Sequence, residues 1–485
     1  MRGATGLAIA VMSLAAGLIS SASAGPLAGA RTQSAIFEGK ASDPYVLAVR
    51  AYVWGYPLVR AAELRQNATR PDDPLATRPA TVAGAPLNRL GLARALATPE
   101  TRIGVAPNND TLYALAFLDT QAGPFVLETP DFGDRYYTFQ FGQADTSTEQ
   151  SFGQRTHGAK LPPLFIYGPQ SRGNIPVGMI GVASRYRYLM IAGRILVNGA
   201  TDLSAVHALQ DQILLRTFKA YRSGIRESPA ISPQRLLIDP AHPAPPDLQF
   251  LQSLGAVLRD WTPAPEDRAL VNSLRSIGLS RQQGFRPERL SPSERAAIAE
   301  GLVDGEAVVR AKTFDLGRKV NGWSINYAGT QFAGDRLLRA AVAMDQIYIV
   351  EREEALYPSA RVDDRGEVLD GRNSYRIRFP ANGLPPVGAF WSITLYHAKG
   401  FMVENPIDRW SIGDRTPGLV YGPDGSLELL VQQERPAGPD VANWLPAPNG
   451  PFMLLMRLYI PKPAILNGAW TPPPVTKVRS DVESR

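Results

Sequence analysis

The chain has 485 residues, 44 % of them hydrophobic and 20 % charged, with a formal net charge of +6 and no cysteine. That composition belongs to a folded protein, and the length exceeds the roughly 250–300 residues that one hydrophobic core sustains, so two or three domains are expected. The missing cysteines exclude disulfides, thiol nucleophiles and Cys-ligated metal sites, and the positive excess forms no run of five or six basic residues of the kind that grips nucleic acid.

The first residues hold one cation, Arg2, an apolar core from Leu7 to Ile19, and the small triplet Ala22-Ser23-Ala24 before Gly25 and Pro26. This is the layout of a secretory signal peptide, with an apolar run shorter than the roughly 20 residues of a spanning helix. A signal at 1–24 is expected, and with it a periplasmic or secreted product that does not span the membrane. From Pro44 to Leu64, Val46, Val49, Val53, Tyr56, Leu58 and Leu64 recur at mostly helical spacing and predict a first helix, bent or broken at Pro57. The Pro- and Ala-rich stretch from Arg70 to Pro107 reads as irregular cover with a short helical patch at Leu90 to Leu96.

Beyond Asp110 the period becomes two. Leu112, Ala114, Ala116 and Leu118 alternate, and runs at 125–127, 136–141, 164–167 and 188–195 recur between turn residues, predicting an antiparallel sheet or sandwich. From Asp202 to Tyr357 helical stripes return: Val206, Leu209, Ile213, Leu214 and Phe218, then Leu251, Leu254, Leu258 and Trp261. Ser291, Pro292 and Glu294 spell a capping box with a first-turn proline, and a last helix is expected from about Asp335 to Leu356. Strands are predicted again at 374–379, 389–396, 427–432 and 452–459, followed by an extended proline-rich tail from Pro461 to Pro474. The fold class is therefore α+β and multidomain: an N-terminal helix with a first β-sandwich at 25–201, an α-helical region at 202–357 and a second β-sandwich at 358–485.

Two sets of strings carry a resemblance. Val105-Ala106-Pro107-Asn108-Asn109-Asp110-Thr111-Leu112-Tyr113 with Asp134-Arg135-Tyr136-Tyr137 resembles the domain of unknown function numbered 1254. The strings beginning at Phe390, Glu404, Ile412 and Asn443 resemble the domain numbered 1214. The resemblance implies exported bacterial proteins with two β-sandwiches held around a helical region, and it implies no settled chemistry. Where that family usually has Tyr-Asp-Ala-Asp-Gly, this chain has Tyr396-His397-Ala398-Lys399-Gly400, so both carboxylates are gone and a metal or acid role for that turn is in doubt.

Candidate site residues follow from residue type. Asn108, Asn109 and Asp110, beside Tyr113, sit where a Pro-rich loop enters a strand. There they either cap a turn through backbone amides or present polar groups to a ligand, Asp110 then serving as the acid-base group. Arg135 beside Tyr136 suits capture of an anion, against a plain salt-bridged hairpin turn. Asp408-Arg409 and Asp414-Arg415 read as a salt-bridged structural loop. His157, in a Gly-rich polar stretch, is the candidate catalytic imidazole, and no two of the four histidines have metal-binding spacing. Gly-x-Ser-x-Gly, the Walker loop and the Rossmann fingerprint are absent. The expectation is a protein that binds or hydrolyses a polar small molecule or saccharide with no metal or cofactor and no nucleic acid, a homo-oligomer being left open. The alternative is a non-catalytic envelope module.

Overall fold

The computed structural model describes residues 42–69, 78–102, 104–171, 174–226 and 235–478. The signal expected at 1–24 lies outside them. Helix α1 (Pro44–Thr69) runs through Pro57 without a break. The proline forfeits one intrahelical bond, and burial of residues along the helix's whole length outweighs that loss.

The first pair of sheets is built from β1 (Gly91–Leu92), β2 (Thr111–Asp119), β3 (Phe125–Glu128), β4 (Tyr137–Gln143), β5 (Thr148–Gly153), the turn α2 (Gln154–His157), β6 (Leu164–Tyr167), β7 (Ile180–Ala183), β8 (Tyr188–Leu196), α3 (Leu203–Gln210), β9 (Leu214–Thr217) and α4 (Phe218–Arg222). One sheet has the order β1-β2-β8-β4-β5 and the other β7-β6-β3-β9. Leu112, Ala114, Ala116 and Leu118 of β2 meet Phe125, Leu127, Leu164 and Ile166 between the sheets. The strand period of two therefore sends Tyr113, Leu115 and Phe117 to the opposite face of the same sheet.

Two sequence expectations need correction in this half. Leu90–Leu96 is extended where a helical patch was expected, because Gly91 and Leu92 pair with Leu115 and Ala114 at the sheet edge. The helical stripe from Val206 to Phe218 ends at Gln210, and Leu214–Thr217 turns into a strand that extends β3.

The helical layer contains α5 (Gln249–Arg259), α6 (Arg268–Ser273), a small hairpin β10 (Leu279–Ser280) and β11 (Gly284–Phe285), α7 (Pro292–Lys312), β12 (Arg318–Val320), β13 (Trp323–Ile325) and α8 (Arg336–Asp345). Leu47, Trp54 and Leu58 of α1 form one core with Leu251, Leu254, Ile298 and Leu302. The capping box at Ser291 and Glu294 is formed. The last helix stops at Asp345, eleven residues before the expected Leu356, and Gln346–Glu354 crosses back as irregular chain. Gln346 already leaves helical geometry at φ −141°, and Tyr348 beyond it takes a positive φ of 58°.

The second pair of sheets uses β14 (Ala355–Leu356), β15 (Ser359–Ala360), β16 (Tyr375–Phe379), β17 (Trp391–His397), β18 (Ser411–Gly413), β19 (Leu427–Gln432), β20 (Trp444–Pro446), β21 (Phe452–Tyr459), the turn α9 (Pro463–Leu466) and β22 (Thr476–Lys477). The larger sheet runs β12-β13-β15-β21-β17-β18 and the smaller β20-β19-β16-β22. Trp391, Ile393 and Leu395 meet Tyr375, Ile377 and Phe379 in the core between them. The tail is only partly extended. It forms α9, accepts hydrogen bonds on Pro472 and Pro473 from Asn321 and Trp323, and finishes as an edge strand. The molecule is thus a multidomain α+β protein of antiparallel sheets with helices between them.

Candidate functional site

The two large sheets meet with their non-core faces toward each other. On β2 and β8, Tyr113 stands directly opposite Arg194 and Leu115 opposite Ala192. On β21 the same alternation that buries Leu454, Met456 and Leu458 between its own sheets turns Leu455, Arg457 and Tyr459 outward. These two faces enclose a cavity of about 160 Å³. Its other walls are Ile347, Tyr348 and Ile349 from the chain leaving α8, Leu64 of α1, and residues on either side of β1, among them Thr81, Ala93 and Asn108.

Neutral and cationic groups supply the cavity's polarity. Arg194 donates from Nη1 to Gln140 Oε1 at 2.9 Å and lies 5.5 Å from the centroid of the Tyr113 ring. Gln140 in turn donates to the carbonyls of Tyr348 and Ile349 at 2.8 and 2.9 Å, so one amide links the arginine to the chain that roofs it. Arg457 donates to Thr394 Oγ1 at 2.7 Å, and to the Ala106 carbonyl and the Tyr396 hydroxyl at 2.8 Å each. Burial pushes the phenols of Tyr357 and Tyr459 above their ordinary range, which keeps both protonated. Thr111, also on the wall, is buried with a hydroxyl that has no hydrogen-bond partner among the described residues. No Asp, Glu or His lines the cavity among the described residues.

The covering segment is tied to the second sandwich. Ala106 donates its N–H to the Gly400 carbonyl at 2.9 Å while its own carbonyl takes Arg457. Tyr396 donates to the Pro107 carbonyl at 2.7 Å, and Asn108 donates to the Tyr459 hydroxyl at 2.9 Å. Ala106 holds φ at 44°, a conformation that costs an alanine energy, and both of its backbone groups are clamped there.

The sequence candidates disperse. Asn108 and Tyr113 line the cavity. Asp110 is only 5 % exposed and does not line it. Its carboxylate accepts from Ser392 Oγ at 2.6 Å and from Arg415 Nη2 at 2.5 Å, and its N–H closes a turn on Asn108 Oδ1. Asn109 donates to the Ala97 carbonyl. Arg135 grips both oxygens of Asp202, whose carboxyl the pairing holds below its usual range. Tyr136 donates to the wholly buried Glu354, which also takes Arg155. His157 stands exposed at the end of α2 against Thr156.

Of the structural loop's two expected acid–Arg pairs, Asp414–Arg415 is present at 3.7 Å, while Asp408–Arg409 does not form an ion pair among the described residues. Arg409 satisfies the carbonyls of Val441, Ala442 and Trp444, Asp408 takes a positive φ, and Arg415 reaches past Asp414 to Asp110. Arg194 and Arg457 were missed by sequence reasoning. Their signal was present: each is an arginine inside an otherwise apolar strand, and such a position is costly unless the charge has a use. Among the described residues no three His, Asp or Glu side chains are grouped as metal ligands, and no helix is long and apolar enough to cross a membrane.

These features define a class, two β-sandwiches joined through a helical layer with a cavity between their large sheets. The model described as protein of unknown function DUF1254 matches residues 87–217, and that described as protein of unknown function DUF1214 matches residues 354–463. The chain belongs to the proteins that carry these two domains in this order. It is similar in fold to the VPA0106 protein from Vibrio parahaemolyticus, at 24 % identity and a TM-score of 0.62, covering 90 % of this chain and 100 % of that one. An uncharacterized protein from Burkholderia cenocepacia aligns at 13 % identity and a TM-score of 0.42, covering 93 % of this chain and 94 % of that one. No curated protein matches.

Proposed function

We propose that this protein binds a small molecule in the cavity between its sandwiches, and that it works outside the cytoplasm after loss of the segment 1–24. What carries the binding reading is the pocket itself: a concave space of about 160 Å³ opens between the two sheets, lined from several elements at once. Cavities of similar size hold a ligand the size of a benzene ring. Its walls combine apolar side chains with a few convergent polar groups, the usual make-up of a ligand pocket. The lining contains no carboxylate or imidazole, which favours binding over carboxylate-based hydrolysis.

The test is a thermal-shift screen of small molecules on the wild-type protein and on Ala192→Phe, which fills the space opposite Leu115. Compounds that raise the wild-type melting temperature and leave the variant unmoved support the proposal. A screen in which every stabilising compound acts equally on both proteins defeats it. Mass spectrometry of the protein recovered from its own host tests export separately, with Gly25 as the expected first residue.

A further inference from the structure

We infer that the ligand is a small organic carboxylate, its acid group held by Arg194 and Arg457 and its apolar body against the aliphatic wall. The inference rests on the binding proposal above and specifies it.

The argument is one of charge. Arg194 is 7 % exposed and Arg457 2 % exposed. Guanidinium groups keep their proton in proteins, so both carry full charge wherever they are placed. A buried charge is costly unless an opposite charge or a dense set of hydrogen bonds compensates it. Elsewhere this protein meets that requirement with carboxylates: Arg135 has Asp202, Arg187 has Asp119 and Asp260, Arg361 has Asp345 and Arg415 has Asp110. Arg409 spends its donors on three carbonyls and Arg65 lies over the Tyr188 ring, both away from this cavity.

Arg194 and Arg457 differ from the carboxylate-paired arginines, and unlike Arg409 and Arg65 they both line this one cavity. Their hydrogen-bond partners are neutral, and neither has an ion-pair partner among the described residues. Asp110 acts on Arg457 electrostatically, but Arg415 and Ser392 already occupy its two oxygens. The phenols between the two arginines, Tyr357 and Tyr459, are held neutral by burial and supply no counter-charge. Two cations therefore line one pocket with no protein anion on its walls among the described residues, and an anionic ligand completes the balance.

The walls choose among anions. Leu64, Leu115, Ala192, Ile347, Ile349 and Leu455 offer no donor to a phosphate oxygen, and an inorganic anion would leave that surface facing empty space. A carboxylate with a short apolar body satisfies both halves: the guanidinium fork matches the planar acid group, and the body buries apolar surface.

The experiment is calorimetric titration of the full-length protein with benzoate, 4-hydroxybenzoate, butyrate and hexanoate, each beside its primary amide, and with inorganic phosphate alone. At least one acid is expected to bind while its amide does not, and Arg194→Met is expected to weaken that acid by roughly 30-fold or more. Without ligand, Arg194→Met should melt no lower than the parent, because it removes an uncompensated charge; a large loss would mark the arginine as structural and overturn the inference. Arg457→Lys, which keeps a cation and spares the fold if Arg457→Met does not, should retain the preference for acid over amide. Amides binding as well as acids, or phosphate alone binding as tightly as the best acid, overturns the carboxylate and leaves the cavity standing. No binding by any acid or amide, together with no compound distinguishing Ala192→Phe from the parent, removes the binding proposal itself.

Discussion

The turn from Tyr396 to Gly400 shows what single residues do here. His397 accepts a hydrogen bond on Nδ1 from the Lys399 N–H at 2.9 Å, and its turn holds Ala106 at the rim of the cavity. Burial first, then the charges of Arg102 and Lys399, push its imidazole below the ordinary value of 6.5. A depressed histidine is neutral in the folded state while the unfolded chain already takes up a proton. The stability it supports is therefore complete above 6.5 and lost as pH falls below that value toward the folded-state pKa. An NMR titration should place the His397 midpoint below 6.5, and the protection factor of the Ala106 amide, taken relative to the intrinsic exchange rate at each pH, should fall between pH 7 and 5 in the wild type and stay flat in His397→Gln. A midpoint at or above 6.5 would contradict this account.

Asp110 and Arg194 show, at the same scale, how far residue type alone could lead. The cluster Asn108-Asn109-Asp110 was legible as a place where polar side chains matter, and one of its three residues, Asn108, does reach the cavity. Which way each side chain faces was not legible, because Asp110 is claimed by Ser392 and Arg415, nearly three hundred positions further along the chain. Arg194 read as one polar residue in a strand, and its meaning appears only once the opposite sheet is in place.

At the scale of elements, close helix packing depends on glycine. A Cβ on Gly301 of α7 would stand 2.5 Å from the Tyr45 carbonyl oxygen and 2.8 Å from Ala48 Cβ of α1, and one on Gly305 would stand 2.7 Å from Tyr52 Cβ. Neither backbone can yield without opening the helical core that supports the cavity's Leu64 wall. Gly301→Val is expected to cost about 2–3 kcal/mol, read as a lower urea midpoint with unchanged slope; a variant as stable as the parent would mean the helices separate freely. Strand periodicity was the clearest element-level signal, since alternate burial follows directly from the pleat. The helix ends were not: α8 stops at Asp345 because Gln346–Glu354 has better uses as cover over two sheets, where Gln140 binds its carbonyls.

Across the whole molecule, the sandwiches are joined by a few buried polar ties, Asp110 to Arg415, Asn108 to Tyr459, and Tyr136 with Arg155 to Glu354. Asp110→Asn keeps the shape and the Ser392 contact but leaves Arg415 with Asp414 alone, at the longer distance of 3.7 Å. Since Arg415 is a quarter exposed, a loss of about 2 kcal/mol is expected, short of the cost of breaking a fully buried pair. Thermal unfolding should shift down while the response to cavity ligands persists. The reverse outcome, unchanged stability with binding abolished, would return Asp110 to the site.

By itself the amino-acid order determined the alternation of the strands, the capping box at Ser291, the α+β class and the pairing of the two domains of unknown function, because each is written in residues close together in the chain. Only the tertiary structure decided that the outward faces of β2, β8 and β21 enclose a common space, which of the polar residues are consumed as ties, and that Arg194 and Arg457 share a cavity without a counter-ion. Those are relations between segments separated by hundreds of residues, set by how two packed sandwiches and a helical layer fit together, and no local periodicity encodes them.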